Sequence, residues 1–236
     1  MADVFDTHAE GDLVELDLLM TVGDERVPGL FFLPPGEEQK PLVIIQHPAT
    51  SSKDDYFVRD VARQWATRGW ICGGLDAPLH GERETHDPMA VLRDRDRFAA
   101  ISVQFGRELT SVIDAVAARF PVDLTRLGYV GYSMGSMLGL PAVATDGRFR
   151  AAAFCLVGEG GLLGAAGAEG SPVRKLGGVA VRIVAKTQDE FFPRAASQAL
   201  YDALPGEKDL VWLPGGHFEI GPDVVQAAGD WLKARL

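Results

Sequence analysis

Gly131-Tyr132-Ser133-Met134-Gly135 lies between the apolar run 127–130 and a second apolar stretch whose residues recur at helical spacing. This order predicts a strand, a sharp turn and a helix. At such a turn a serine takes a strained backbone conformation, and glycines two positions before and after it avoid side-chain clashes. Ser133 is therefore a candidate nucleophile, which requires a base and donors for an oxyanion. Because the chain has 27 glycines, the pattern alone is weak and needs support from other residues.

Composition and charge exclude several classes of function. The 236 residues are 47% hydrophobic and 24% charged, which predicts a single folded domain over residues 1–236. The net charge of −10 argues against a nucleic acid or an anionic membrane as partner, because both require a basic surface. The acidic segment 1–6 lacks the pattern of a secretory signal, so we expect a cytoplasmic protein. No phosphate-binding loop and no metal-ligand spacing appears, so we predict no cofactor and no metal.

Strand and helix signals alternate along the chain. The apolar runs 13–20 and 27–33, joined by Gly23-Asp24, predict an antiparallel hairpin, and the continuous run 42–46 is typical of a strand buried on both faces. Further strands are predicted at 70–75, 127–130, 151–157, 179–185 and 210–213, and helices at 52–69, at 98–119, after Ser133, and from near Pro193 and Pro222. This alternation predicts an open, mostly parallel, doubly wound α/β sheet. In the helix after Ser133, Pro141 predicts a kink or a break near Leu140.

Two further residues follow later strands of this predicted sheet. Asp189 comes just after the strand at 179–185, and His217 comes just after the strand at 210–213. Because the carboxyl ends of parallel strands share one edge, we expect Ser133, Asp189 and His217 to meet there. A neutral imidazole can take the serine proton and return it to a leaving group, while a carboxylate orients that imidazole.

The carboxylate position has two rivals. Glu190 is adjacent to Asp189, and Glu159 follows the strand at 151–157. Asp189 can also be read as an ordinary acid near the start of the helix at Pro193, but its place after a strand favours the catalytic interpretation. For the base, the remaining histidines do not follow the last strand; they are His8, His47, His80 and His86.

The serine, aspartate and histidine occur in the order found in α/β-hydrolases, and the chain resembles that family from about Val27 to its C-terminus. The resemblance implies an eight-stranded, mostly parallel sheet with an N-terminal antiparallel hairpin, and the roles of nucleophile, acid and base for Ser133, Asp189 and His217. It also implies an oxyanion hole of two backbone N–H groups, one of them from Met134.

The second oxyanion donor comes from the segment 46–53, which resembles the family's His-Gly segment after a central strand. Pro48 stands where the family usually has glycine. The donor in that reading is the next residue, so the resemblance assigns it to Ala49. The segment 75–83 resembles another family loop, in which an aspartate and a histidine brace the structure, and we give Asp76 and His80 no catalytic role.

In size the chain resembles dienelactone hydrolases, which use cysteine where this chain has serine. The resemblance implies a serine carboxylesterase that hydrolyses small to medium acyl esters through an acyl-enzyme, with a small-molecule ester as its partner. A minimal cap or none is expected, because only residues 158–178 lie where larger relatives insert one; residues 82–97 are the other candidate lid. Apolar side chains near the three site residues are expected to line an acyl pocket: Leu79, Phe191, Phe192 and Phe218.

Other functions share these residues. A thioesterase or a small peptidase uses the same three side chains, and a non-catalytic ligand-binding protein can share the fold. The sequence leaves the leaving group, the acyl chain length and the oligomeric state open.

Cys72 and Cys155 occur on strands that the family's strand order separates by two others. At ~4.8 Å per strand they lie about 14 Å apart, which no disulfide spans. We therefore expect buried, unreactive thiols, which suit a reducing compartment.

Overall fold

The structure, a computed structural model, describes residues 3–83 and 85–236. Met1 and Ala2, which belong to the segment 1–6 considered above for a secretory signal, lie outside the described residues. Glu84, in the candidate lid at 82–97, also lies outside them.

One mixed sheet forms the centre of the molecule. Within the described residues its nine strands are β1 (Val4–Glu10), β2 (Leu13–Val22), β3 (Glu25–Leu33), β4 (Lys40–Gln46), β5 (Ile71–Leu75), β6 (Val122–Tyr132), β7 (Phe149–Cys155), β8 (Ala180–Lys186) and β9 (Lys208–Leu213). They lie in the order β1-β2-β3-β5-β4-β6-β7-β8-β9. The three pairs β1-β2, β2-β3 and β3-β5 are antiparallel, and the remaining pairs, from β5-β4 to β8-β9, are parallel.

The mostly parallel sheet and its antiparallel N-terminal hairpin are confirmed, but the predicted count of eight strands is one too low. The additional strand is β1, which pairs with β2 along its whole length and forms one edge of the sheet. Its side chains are mostly exposed, and Phe5 is the one packed against the core. A strand with so little apolar surface gives almost no hydrophobic pattern, which is why the sequence did not predict it.

Helices cover both faces of the sheet. In the part of the chain that the structure describes, they are α1 (Arg59–Ala66), α2 (Arg95–Ala117), α3 (Met134–Asp146), α4 (Arg194–Ala203) and α5 (Pro222–Lys233). Side chains of α2, α3 and α4 belong to the apolar cluster on one face, and those of α1 and α5 belong to the cluster on the other. The doubly wound arrangement is thereby confirmed, with β4 buried along its entire length between the two layers.

One helix prediction was wrong. The first helix begins at Arg59 instead of Ser52, because the intervening residues form turns; the Ser52 hydroxyl accepts a hydrogen bond from the Asp54 N–H. The helix after Ser133 runs through Pro141 to Asp146, so of the kink or break predicted near Leu140 the break is absent.

No large cap covers the sheet, as expected. Between β7 and β8 the described chain contains only one short 3₁₀ helix, Pro172–Gly178, and the candidate lid at 82–97 holds short 3₁₀ turns before α2 begins. None of the helices in the described ranges combines the length and the hydropathy that crossing a bilayer requires.

Both cysteines are buried and unbridged. Cys72 lies on β5 and Cys155 on β7, with β4 and β6 between them. Burial raises the pKa of both thiols, because a thiolate loses its hydration there. The prediction of buried thiols on separated strands is confirmed.

Candidate active site

Ser133 occupies a strained turn between β6 and α3. Its φ of 50° and ψ of −110° lie outside the regions that residues with a side chain normally adopt. The flanking glycines permit this turn, since a methyl group at Gly131 would lie 2.5 Å from the backbone of Gly135. A methyl group at Gly135 would lie 2.4 Å from the carbonyl oxygen of Gln46. The sharp turn predicted from the sequence is present.

Buried hydroxyl groups hold this turn in place. The Tyr129 hydroxyl donates to the Gly135 carbonyl at 2.7 Å. Ser136 donates to the carbonyls of Gly131 at 2.7 Å and Cys155 at 2.8 Å, and the Ser133 N–H donates to the same Cys155 carbonyl at 2.9 Å. These bonds tie the turn to β7 and offset part of its strain.

The three residues predicted to meet do lie together. The Ser133 Oγ is 2.8 Å from Nε2 of His217, and Nδ1 of His217 is 2.9 Å from Oδ2 of Asp189. Ser133 follows β6, Asp189 follows β8 and His217 follows β9, so each comes after the carboxyl end of a parallel strand. The serine is half-buried, while the carboxylate and the imidazole are buried.

Asp189 is held by backbone as well as by the imidazole. Its Oδ1 accepts the N–H groups of Phe191 at 2.9 Å and Phe192 at 2.8 Å. Burial alone would raise the pKa of Asp189, but the hydrogen bonds from His217 and these N–H groups outweigh it and lower the pKa below its ordinary value. The group is therefore a carboxylate at neutral pH, as an acceptor for the imidazole N–H must be.

Backbone bonds join the loops that carry Asp189 and His217. The Thr187 N–H donates to the Leu213 carbonyl at 2.8 Å, and the Gln188 N–H donates to the Gly215 carbonyl at 3.0 Å. Lys186, at the end of β8, is buried and donates to the Pro214 carbonyl at 3.0 Å and to Asp223 at 2.9 Å. Lys186 was not predicted as part of the site, although a lysine that ends an apolar strand just before the candidate acid was a visible signal.

The two rival carboxylates have other partners. The Glu190 Oε2 accepts the backbone N–H of His217 at 2.7 Å, so it contacts the backbone of the histidine loop. The His217 ring contacts Asp189 instead. The hydrogen bond from the His217 N–H lowers the pKa of Glu190. Glu159 accepts the N–H of Ala166 at 2.9 Å within its own loop.

The predicted oxyanion donors carry free N–H groups. Met134 is the first residue of α3, and Ala49 is half-buried and packs against the core near β4. Among residues 3–83 and 85–236, no hydrogen bond uses the N–H of Met134, Ala49 or the neighbouring Thr50. Thr50 is exposed, and its φ of 61° lies in the left-handed region.

The segment that carries Ala49 is anchored at both ends to the loop after β5. His47 is fully buried; its Nε2 accepts the Ala77 N–H at 3.0 Å, and its Nδ1 lies 2.7 Å from the Pro48 carbonyl. Burial lowers the pKa of His47 to about 3, so the ring is neutral at physiological pH. Both of its nitrogens have backbone partners. At the other end, Asp76 accepts the N–H of Lys53 at 2.8 Å and that of Glu82 at 2.9 Å.

Sequence comparisons give no family for this chain: no family model matches it, and no curated protein does. Solved structures do resemble it. A cold-adapted esterase from an Arctic intertidal metagenomic library, with polyethylene glycol bound, has a TM-score of 0.84 and 23% identity over 100% of both chains. Acetyl xylan esterase 1 from Thermoanaerobacterium sp. has a TM-score of 0.72 and 16% identity, over 98% of this chain and 86% of that one.

A putative dienelactone hydrolase from Klebsiella pneumoniae has a TM-score of 0.72 and 17% identity, over 94% of this chain and 98% of that chain. These similarities extend over 94% to 100% of this chain. The chain has the α/β-hydrolase fold.

In this α/β-hydrolase fold, three of the four predicted pocket residues surround the imidazole. The ring centroids of Phe191, Phe192 and Phe218 lie 4.8, 5.7 and 5.6 Å from that of His217. Leu79, with φ of 69°, lies in the loop after β5 and is half-buried against the same apolar cluster that Phe192 contacts.

Over the described ranges, no cluster of three or more His, Cys, Asp or Glu side chains is arranged to hold a metal ion.

Proposed function

We propose that this protein is a serine carboxylesterase that hydrolyses small to medium acyl esters through an acyl-enzyme. The observation that carries the proposal is the continuous line of hydrogen bonds from Ser133 through His217 to Asp189, at a strained turn of an α/β-hydrolase fold. The names of the similar solved structures, which include esterases, support the same reaction class.

In the first half of the reaction, Nε2 of His217 takes the proton of Ser133 as Oγ attacks the ester carbonyl carbon. The carbonyl oxygen becomes an oxyanion, for which the N–H groups of Met134 and Ala49 are the donors. The imidazolium, stabilised by Asp189, then gives its proton to the alkoxy oxygen as the carbon–oxygen bond breaks. The alcohol leaves, and the acyl group stays on Oγ.

In the second half, water takes the place of the alcohol. His217 accepts a proton from this water as its oxygen attacks the acyl carbon, and the same proton returns to Oγ as the acid leaves. The neutral Ser133 and imidazole are regenerated. A small-molecule ester is thus the proposed partner, and the absence of a large cap makes the site open to it.

The cytoplasm is the proposed location. The two buried, unbridged thiols support it, because free cysteines persist in reducing compartments.

Labelling by a fluorophosphonate tests the nucleophile. We expect stoichiometric modification of Ser133, found by peptide mapping, because only an activated serine reacts readily with this reagent. Ser133→Ala should abolish both labelling and the hydrolysis of p-nitrophenyl acetate, while Ser171→Ala, in the β7–β8 connection, should retain both. Rates on a thioester and an amide of the same acyl group then rank the leaving groups. A label on another serine, or full hydrolysis by Ser133→Ala, contradicts the proposal.

A further inference from the structure

Two large aromatic side chains beside His217 are exposed without any packing role. Phe191 is 59% exposed and Phe218 is 79% exposed, and neither packs in the apolar clusters of the two sheet faces. Their rings meet edge to face at 5.5 Å. With the half-buried Phe192, they place three aromatic rings within 6 Å of the imidazole.

The chemistry of the proposed reaction fixes which part of an ester lies beside these rings. In the tetrahedral intermediate the oxyanion faces the N–H donors, and the alkoxy oxygen must face Nε2 of His217 to receive its proton. The carbon chain of the alcohol is bonded to that oxygen, so it begins within a few ångströms of the imidazole. The acyl chain leaves the same carbon in another direction.

We propose that Phe191, Phe192 and Phe218 form a binding site for the alcohol portion of the ester, and that this portion is an uncharged aromatic or large apolar group. The inference rests on the proposed esterase function and assigns the three rings to the leaving group instead of the acyl chain. Burying exposed aromatic faces against an aromatic ligand is favourable both by area and by ring geometry.

The charges around the rings exclude an anionic alcohol. Glu190 bonds the N–H of His217, and Glu219 bonds the N–H of Gly216 at 2.8 Å, so two carboxylates lie against the histidine loop. An anionic group placed among the rings would be repelled by both. Beyond Phe218 an open hollow of about 380 Å³ leaves room for a group larger than one ring. Its lining is mixed: Pro214 and Ile220 are apolar, Glu219 is charged, and Lys186 is paired with Asp223.

An isomeric pair of esters tests the assignment. Benzyl acetate carries its phenyl ring on the alcohol, and methyl phenylacetate carries the same ring on the acid. Each kcat/KM is divided by the rate constant for hydrolysis of that ester by hydroxide, which removes intrinsic reactivity. We expect the normalised value to be roughly tenfold or more higher for benzyl acetate, the factor that about 1.4 kcal/mol of aromatic burial gives.

Variants connect this preference to the rings. Phe218→Ala and Phe191→Ala should each lower the ratio of benzyl acetate to methyl phenylacetate by about three- to tenfold. Phe218→Leu should fall between them and the wild type. Val103→Ala, which shortens an exposed apolar side chain on α2, is the matched control and should keep the wild-type ratio.

The outcomes separate this inference from the proposed function. Labelling of Ser133 together with a ratio near one, a preference for methyl phenylacetate, or a ratio that the phenylalanine variants do not change overturns the alcohol site alone. If Ser133 is not labelled and no ester is hydrolysed, the proposed function itself fails, and the alcohol site fails with it.

Discussion

His217 depends on two neighbouring carboxylates that act on different parts of the residue. Asp189 accepts from the ring nitrogen Nδ1, and Glu190 accepts from the backbone N–H. In the proposed mechanism the first contact sets the tautomer of the imidazole and balances its positive charge, whereas the second fixes the position of the histidine loop. Strand position in the sequence favoured Asp189 over Glu190 and Glu159, but the sequence could not orient the two adjacent side chains of Asp189 and Glu190.

Substitutions at the two carboxylates should therefore differ in kind. Asp189→Asn should lower kcat by roughly a thousandfold or more, because an amide favours the wrong tautomer. Glu190→Gln should stay near the wild-type rate, since its amide oxygen still accepts the His217 N–H. Glu190→Ala should lower kcat by about five- to tenfold through the lost hydrogen bond. Steady-state kinetics on p-nitrophenyl acetate measure all three, and a larger loss in Glu190→Gln than in Asp189→Asn would exchange the roles.

Among the elements, the loop between β4 and α1 is where sequence and structure diverge most. The strand before it and the turn at Ser133 were predictable, because each is a local pattern of apolar residues and glycines. The anchoring of this loop was not, because it uses Asp76 and Ala77, which are distant in the chain. The start of α1 was placed too early for a related reason: the Ser52 hydroxyl that resembled a helix cap closes a local turn instead.

A proline at Ala49 tests whether this loop provides the proposed oxyanion donor. Ala49→Pro removes one N–H, and the loss of an oxyanion donor typically lowers kcat by about 10²–10³-fold with a smaller change in ground-state binding. Ala49→Gly keeps the N–H and is the matched control, expected to retain most of the rate. A melting curve for each variant establishes that it is folded.

Proline at Thr50 would be a poor control, because its φ of 61° is incompatible with the proline ring. Thr50→Gly suits that φ and keeps its N–H. If folded Ala49→Pro hydrolyses esters at the wild-type rate, Ala49 is not the donor.

For the whole molecule, stability in acid depends on buried carboxylates that join separate elements. Asp146, at the end of α3, has a side chain only 1% exposed; it accepts from Arg148 at 2.7 Å and from Thr110 of α2 at 2.8 Å. Burial alone would raise the pKa of Asp146, but these bonds outweigh it and lower the pKa. A carboxyl whose pKa is lower in the folded state stabilises the fold above its unfolded pKa of about 3.9, and this contribution is lost as the pH falls further.

Urea unfolding between pH 7 and pH 3 should show this dependence. Asp146→Asn should lower the free energy of unfolding by about 2 kcal/mol at pH 7, because the amide NH2 replaces one of two oxygens that each accept two hydrogen bonds. The difference from the wild type should stay constant down to about pH 5 and shrink below about pH 4. Asp114→Asn removes a 59% exposed partner of the same Arg148 and should cost about 0.5 kcal/mol or less. If the difference in the free energy of unfolding between the wild type and Asp146→Asn is the same at pH 7 and pH 3, the Asp146 carboxylate does not cause the acid dependence.

The helical layers and the meeting of Ser133, Asp189 and His217 could be predicted because alternating βα units determine which strand ends share an edge, whereas the strand order was implied only by the resemblance to α/β-hydrolases. The features that were not predicted involve polar residues. They are the exposed strand β1, the buried Lys186, and the hydrogen bond from the His217 N–H to Glu190. Such features have no period in the sequence, since their partners are set only once distant segments have packed.

The edge strand β1 also affects whether this sheet can pair with the sheet of another copy of the protein. Without β1, the next strand inward is β2, whose Leu16 and Leu18 are buried and whose backbone would present a row of open donors and acceptors. Such an edge is a template for intermolecular strand addition and aggregation. With β1 in place, the outermost strand carries Asp6, His8 and Glu10, whose polar side chains make a second chain a poor neighbour. The polar edge strand β1 thus reduces the tendency of the sheet to polymerise by strand addition.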